Sequence, residues 1–252
     1  MTVRPHLRTA LLCALLVACG PSSRPEAPAD RPGSAAAALL EARPARLRIE
    51  VRTSPGLAPS PTALDLLARR LRERTHKDLA GPLEVEVLLG VLPEHAADGS
   101  GHTDAALRSW AQEWASPLPP DTARLSVLYV SGRSARDRGE VPLTLGASVS
   151  ATAVAVFPEA LARNVAPFPR VADLEAAVIL HEVGHLMGVV GMGAPITALH
   201  QDGFAFGHCR NRGCIMGALH DGWIRVEWFG GTSDEPDFCT DCAADLRAAG
   251  GR

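Results

Sequence analysis

The pentapeptide His181-Glu182-Val183-Gly184-His185, inside VILHEVGHLMG, limits what this chain can fold into more than any other stretch. On an α-helix, residues four apart share a face, so His181 and His185 can aim two imidazole nitrogens at one metal ion. Glu182 sits one position round from the first histidine, where its carboxylate can take a proton from water at an open coordination position. Zinc suits that arrangement: two neutral nitrogens, a third protein ligand and a site left for water. The flanks predict the helix. Val171, Leu174, Val178, His181 and His185 follow spacings of three, four, three and four, and Ala176, Leu180, Val183 and Met187 make a second stripe. A helix that is apolar on most sides belongs in a core. Gly188, three residues past the second histidine, suits a left-handed exit from it. Packing alone gives no reason for two histidines and a glutamate there, because unpaired buried polar groups are costly.

The chain begins differently. Arg4 and Arg8 precede an apolar run at residues 10–18 that is too short to span a bilayer. Leu16-Val17-Ala18-Cys19-Gly20 resembles the lipobox of bacterial lipoprotein precursors. That resemblance implies a signal peptide at residues 1–18 and a lipid on Cys19. It also implies a place in the bacterial cell envelope, anchored to the membrane by the lipid on its periplasmic or extracellular face. An ordinary signal peptide with a chance cysteine is the alternative. Residues 19–45 are rich in Pro, Ala, Ser and Arg and predict a flexible tether, with Leu39-Leu40 opening at most a short helix. Residues 46–252 have the length of one domain, divided into 46–188, which carries the HExxH helix, and 189–252. Net charge is −3, Lys77 is the only lysine, and no arginine run is interleaved with aromatics, which argues against nucleic acid as a partner.

Within the domain, Arg46–Thr53 alternates Leu47, Ile49 and Val51 with charged neighbours and reads as a strand with one buried face. Ser60-Pro61 is an N-cap followed by proline at the first helical position, and Leu64, Leu67, Ala68 and Leu71 make that helix's apolar stripe. Residues 82–91 form a second strand, 105–114 a short amphipathic helix, 123–131 a more central strand holding Tyr129, the only tyrosine, and 151–157 a fourth strand. This order predicts an α+β fold, a mixed twisted sheet with packed helices. Residues 189–252 are weakly patterned and glycine-rich, predicting a small irregular subdomain held by cross-links.

Four cysteines remain beyond Cys13 and Cys19: Cys209, Cys214, Cys239 and Cys242. Two close pairs suit a structural zinc with four thiolates, and an oxidising envelope also permits two disulfides as the alternative.

Taken together, HEVGHLMG, Gly207-His208-Cys209, Cys214-Ile215-Met216 and Cys239-x-x-Cys242 resemble the archaemetzincins, of the metzincin clan of zinc peptidases. The resemblance covers the C-terminal third and implies a metzincin-like fold. It makes His181, His185 and His208 ligands of a catalytic Zn2+, Glu182 the general base, and Met216 the methionine beneath the metal. The four cysteines become a second, structural zinc site. This chain departs from the pattern: Gly191 stands where the third ligand is expected, and His208 follows an inserted segment containing His200 and Asp202, the alternative third ligands. The metzincin likeness also implies that a substrate is held extended along an edge strand, for which residues 151–157 are the candidate, and points to a divergent, membrane-tethered bacterial branch. No donor that would stabilise a transition state is legible, His220 being only a guess. The expected activity is peptide-bond hydrolysis on a peptide or protein substrate. The rivals are a zinc-binding envelope lipoprotein without activity, and an envelope scaffold cross-linked by disulfides.

Overall fold

The apolar alternation of Arg46–Thr53 (β1) matches that of Thr122–Tyr129 (β3), and the two pair in parallel from Arg46 opposite Thr122 to Thr53 opposite Tyr129. The structure is a computed structural model that describes residues 30–77, 84–93, 101–137, 144–163, 171–218 and 235–252. Glu84–Leu88 (β2) adds in parallel to β1, and Ala153–Val156 (β5) in parallel to β3. Gly146–Ser148 (β4) runs antiparallel along β5, giving the order β2-β1-β3-β5-β4. The mixed sheet and its packed helices are the α+β arrangement expected. Residues 151–157, however, supply an internal strand, so the edge nearest the HExxH helix belongs to β4. Three residues ending in a turn carry no periodicity that could have announced that edge.

β1 differs from expectation in one respect. Its apolar face is buried through Leu47, Ile49 and Val51, but Glu50 and Arg52 on the opposite face are wholly buried too. Glu50 Oε2 accepts from Arg52 Nη1 and from Arg124 Nε, each at 2.9 Å, and Arg52 Nη2 reaches Ser116 Oγ at 3.1 Å. An ion-pair network thus sits where alternation implied solvent: two guanidiniums share one oxygen of the Glu50 carboxylate, and Ser116 takes a further Arg52 donor.

Helices Pro61–Arg74 (α2) and Asp104–Glu113 (α3) start on Ser60 and Thr103, whose hydroxyls accept from Ala63 N and Ala106 N. Pro158–Arg163 (α4) follows β5, and Val171–Leu186 (α5) carries the HEVGH sequence against α2, β4 and β5. Glu175 fixes the orientation of α5: its buried Oε1 accepts from Tyr129 Oη at 2.6 Å and from Ser60 N at 2.8 Å. Burial raises the pKa of both Tyr129 and Glu175.

The expected tether is partly folded. Ala36–Leu40 is a short helix (α1) with Leu39 and Leu40 buried in the main core. Lys77 Nζ donates to the carbonyls of Ala38, Glu41 and Pro44, tying this segment to the end of α2. Gly33, at φ +85°, packs so closely that a Cβ would come 1.9 Å from Met192 O. Part of the 19–45 segment thus packs against the domain core. Polar composition hid this, because two leucines and a few backbone acceptors suffice to dock the segment. Residues 1–29, with the signal peptide and Cys19, lie outside the described residues, as does His220. Residues 189–218 are irregular, as expected, whereas Thr240–Ala248 forms an unexpected helix (α6) that opens directly after Cys239.

Candidate metal centres

Among the described residues, two groups have donor atoms gathered closely enough to hold a metal ion: His181, His185 and His208, and the four cysteines. In the first, helical spacing places His181 and His185 on one face, both 7% exposed, and the chain returns with His208 opposite them. The ring centroids stand 4.9, 5.1 and 5.0 Å apart, a nearly equilateral tripod. His181 Nδ1 donates to Ile215 O at 2.7 Å and His208 Nδ1 to Phe206 O at 3.0 Å, leaving each Nε2 with its lone pair inward. His181 Nε2 and His185 Nε2 are 3.2 Å apart. Two nitrogens on one tetrahedral zinc are separated by about 3.3 Å, so the spacing fits. Burial lowers the pKa of all three imidazoles, that of His185 to about 2. The neutral form is the one a metal requires.

Glu182 points from α5 toward β4. Gly146 permits the approach: a Cβ there would come within 2.6 Å of Val178 Cγ1 and 3.0 Å of Glu182 Cγ. Burial raises the Glu182 pKa, opposed by hydrogen bonds from the Ser148 amide and hydroxyl and by the positive field of Arg136. Arg136 follows β3 and is clamped by Asp104, Nε to Oδ1 at 3.1 Å and Nη2 to Oδ2 at 2.6 Å. Sequence reasoning missed Arg136, Ser148 and Gly146; nothing local distinguishes them from other loop and strand residues.

Met216 packs on Gly184, between the two helical histidines in the sequence, and Phe238 closes the same space. The turn that delivers Met216 also delivers Ile215, whose carbonyl orients His181. Cys209 N donates to Met216 O at 2.7 Å, linking the segment that carries His208 to this turn.

All four cysteines are free thiols. Cys209 Sγ and Cys239 Sγ are 3.8 Å apart, and Cys214 Sγ and Cys242 Sγ 3.5 Å. Sulfurs sharing a tetrahedral zinc lie about 3.8 Å apart, whereas a disulfide needs about 2.05 Å. The donor set and its spacing therefore fit a metal. Their mutual hydrogen bonds split the thiols: Cys209 drops to about 6, chiefly through Cys214, and Cys242 is raised, chiefly through Cys209.

The inserted segment turns both alternative ligands away from the tripod. His200 is buried against the cysteines, with Nδ1 3.4 Å from Cys209 Sγ. Asp202 closes its own turn, Oδ1 accepting from Phe204 N at 2.7 Å and from Ala205 N at 3.2 Å. His208 is the residue brought to the third corner.

No protein-family profile matches the chain, and no curated protein does. Among solved structures, the fold is similar to the crystal structure of archaemetzincin from Methanopyrus kandleri at 1.5 Å resolution. The TM-score is 0.52 at 15% identity, over 81% of this chain and 96% of that one. At that identity the likeness establishes the fold, archaemetzincin-like, and leaves activity to be argued from the residues.

Proposed function

We propose that this protein is a zinc-dependent peptidase, with His181, His185 and His208 holding a catalytic zinc and Glu182 acting as general base. The observation that carries the reading is the tripod: two backbone carbonyls take the Nδ1 protons of His181 and His208, and two facing nitrogens stand 3.2 Å apart. Zinc bound there would supply Lewis acidity and make water at its open position acidic near neutral pH. Glu182, held by the Ser148 amide and hydroxyl, would accept a proton from the attacking water and return it to the leaving amine. The field of Arg136 favours the ionised carboxylate, against the effect of burial. The β4 edge lies alongside α5, where an extended peptide can pair by backbone hydrogen bonds. Cys209, Cys214, Cys239 and Cys242 hold a second, structural zinc that fixes the turns bearing His208 and Met216.

The test is metal analysis of the purified chain together with hydrolysis of casein or a peptide library. Two zinc ions per chain and cleavage abolished by chelation are expected. One zinc and no titratable thiols would mean disulfides, and bound zinc without cleavage of any peptide would favour the inactive binding lipoprotein.

The lipobox-like sequence at Cys19 supports a lipid anchor in the bacterial envelope, with a peptide or protein substrate met there. Labelled palmitate should enter the wild-type chain and not Cys19→Ser; equal labelling of the two would remove the anchor from this reading.

A further inference from the structure

The insertion between Gly191 and His208 carries a histidine for which the tripod has no use. His200 is 1% exposed, and its ring is held at both nitrogens. Nδ1 lies 3.4 Å from Cys209 Sγ and 3.7 Å from Cys242 Sγ, and Nε2 lies 2.9 Å from Asp245 Oδ2. Asp245 is wholly buried on α6, three residues past Cys242, and its Oδ1 accepts Thr197 N at 2.8 Å and Thr197 Oγ1 at 2.9 Å. Thr197 belongs to the same insertion. The backbone closes the arrangement: Arg210 N donates to His200 O at 2.8 Å and Asp202 N to His208 O at 2.7 Å, flanking Cys209. Inserted residues, α6 and the cysteine turn thus meet at one imidazole.

A ring aimed so specifically needs a chemical reason. Four thiolates around one divalent ion leave net negative charge in a buried place, which is costly without hydrogen-bond donors. A thiolate is a far better acceptor than a neutral thiol, and an N–H bond to it is charge-assisted. We infer that His200 is a positioning residue of the four-cysteine centre: its Nδ1–H donates to the Cys209 and Cys242 thiolates, and Asp245 aims it. The inference rests on the reading that these cysteines hold a metal. It gives the insertion a purpose, since the segment that displaces His208 from its expected place in the sequence also supplies a donor to the neighbouring centre. Because Cys209 adjoins His208, the same donor steadies the segment that carries the third imidazole.

The experiment uses the full chain loaded with cobalt(II), whose thiolate-to-metal charge-transfer band reports the cysteine centre independently of activity. Metal release into excess EDTA is followed at that band. His200→Ala should release cobalt about 10–100-fold faster, the usual range for losing a group that supports a metal ligand, and should shift the band to lower energy. Asp245→Asn should release it faster as well, by a smaller factor. His200→Gln, which retains an N–H donor, should stay close to wild type. These two variants carry the comparison if His200→Ala does not fold. A band present in wild type and unchanged in energy and decay among the variants overturns the inference and leaves the metal reading intact. Absence of the band from wild type, with no titratable thiols, overturns the metal reading and the inference with it.

Discussion

Met216 lies against Gly184: a Cβ built at position 184 would come 2.3 Å from Met216 Sδ and 3.1 Å from Phe238 Cε1. The glycine between the two helical histidines is therefore where the turn from the C-terminal subdomain seats. Replacing a helix-interior glycine with alanine ordinarily stabilises by about 0.5–1 kcal/mol. Here overpacking should reverse the sign, with Gly184→Ala losing about 1–3 kcal/mol. Thermal unfolding of Gly184→Ala, Met216→Ala and the double variant measures the coupling. A higher melting temperature for Gly184→Ala alone would show that Met216 is not seated there.

Glu182→Gln should abolish hydrolysis and leave the tripod metal in place, because the carboxylate moves protons and is no ligand. The expected loss in kcat is about 10²–10⁴-fold. Near-normal turnover by this variant would remove Glu182 from the mechanism.

Arg136 and Ser148 both oppose the effect of burial on Glu182. Arg136→Gln removes the cation, so the Glu182 pKa should rise and the acid limb of the kcat/KM profile should move to higher pH. Arg136→Lys should restore much of the wild-type limb. An acid limb unmoved in Arg136→Gln would sink the electrostatic role.

His208→Ala should lose the tripod metal and activity together. Asp202→Ala should retain that metal, since the carboxylate is occupied by Phe204 N and Ala205 N. Metal content of the two variants decides this; metal lost from Asp202→Ala and kept by His208→Ala would place the third ligand inside the insertion.

The metal-free protein should be acid-labile for a calculable reason. His181 and His185 have folded-state pKa values below the ordinary imidazole value because they are buried. As pH falls below about 6.5 the unfolded chain takes up protons that the folded one refuses, so their contribution is fully present above that pH and lost below it. The slope is at most about 1.4 kcal/mol per pH unit for each histidine. Denaturant titrations between about pH 7.5 and about pH 5 should show it, and His185→Gln should flatten it. Stability independent of pH over that range would contradict the burial of these rings.

What the sequence by itself determined is whatever depends on near neighbours along the chain. The i, i+4 spacing put His181 and His185 on one face, Ser60-Pro61 started α2, and alternation marked β1 and β3. Backbone geometry converts such spacings into faces without help from the rest of the molecule. Gly188 ended its helix for the same reason, at φ +79°.

The tertiary structure decided what depends on long returns of the chain. His208, His200 and Asp202 are the same kind of candidate in one dimension; only the packing sends the first to the tripod, the second to the cysteines and the third into its own turn. The edge strand is three residues of β4, too short for a period, and its value lies in Gly146 leaving room for Glu182. Glu50 and Arg52 look solvent-facing until Arg124 and Ser116 close over them, and Ala36–Leu40 looks like linker until Lys77 ties it down. Except for Asp202, whose partners lie within its own turn, a deciding partner lies tens of residues away, and burial, which sets both the cost of a polar group and the need to pair it, exists only once the chain has folded.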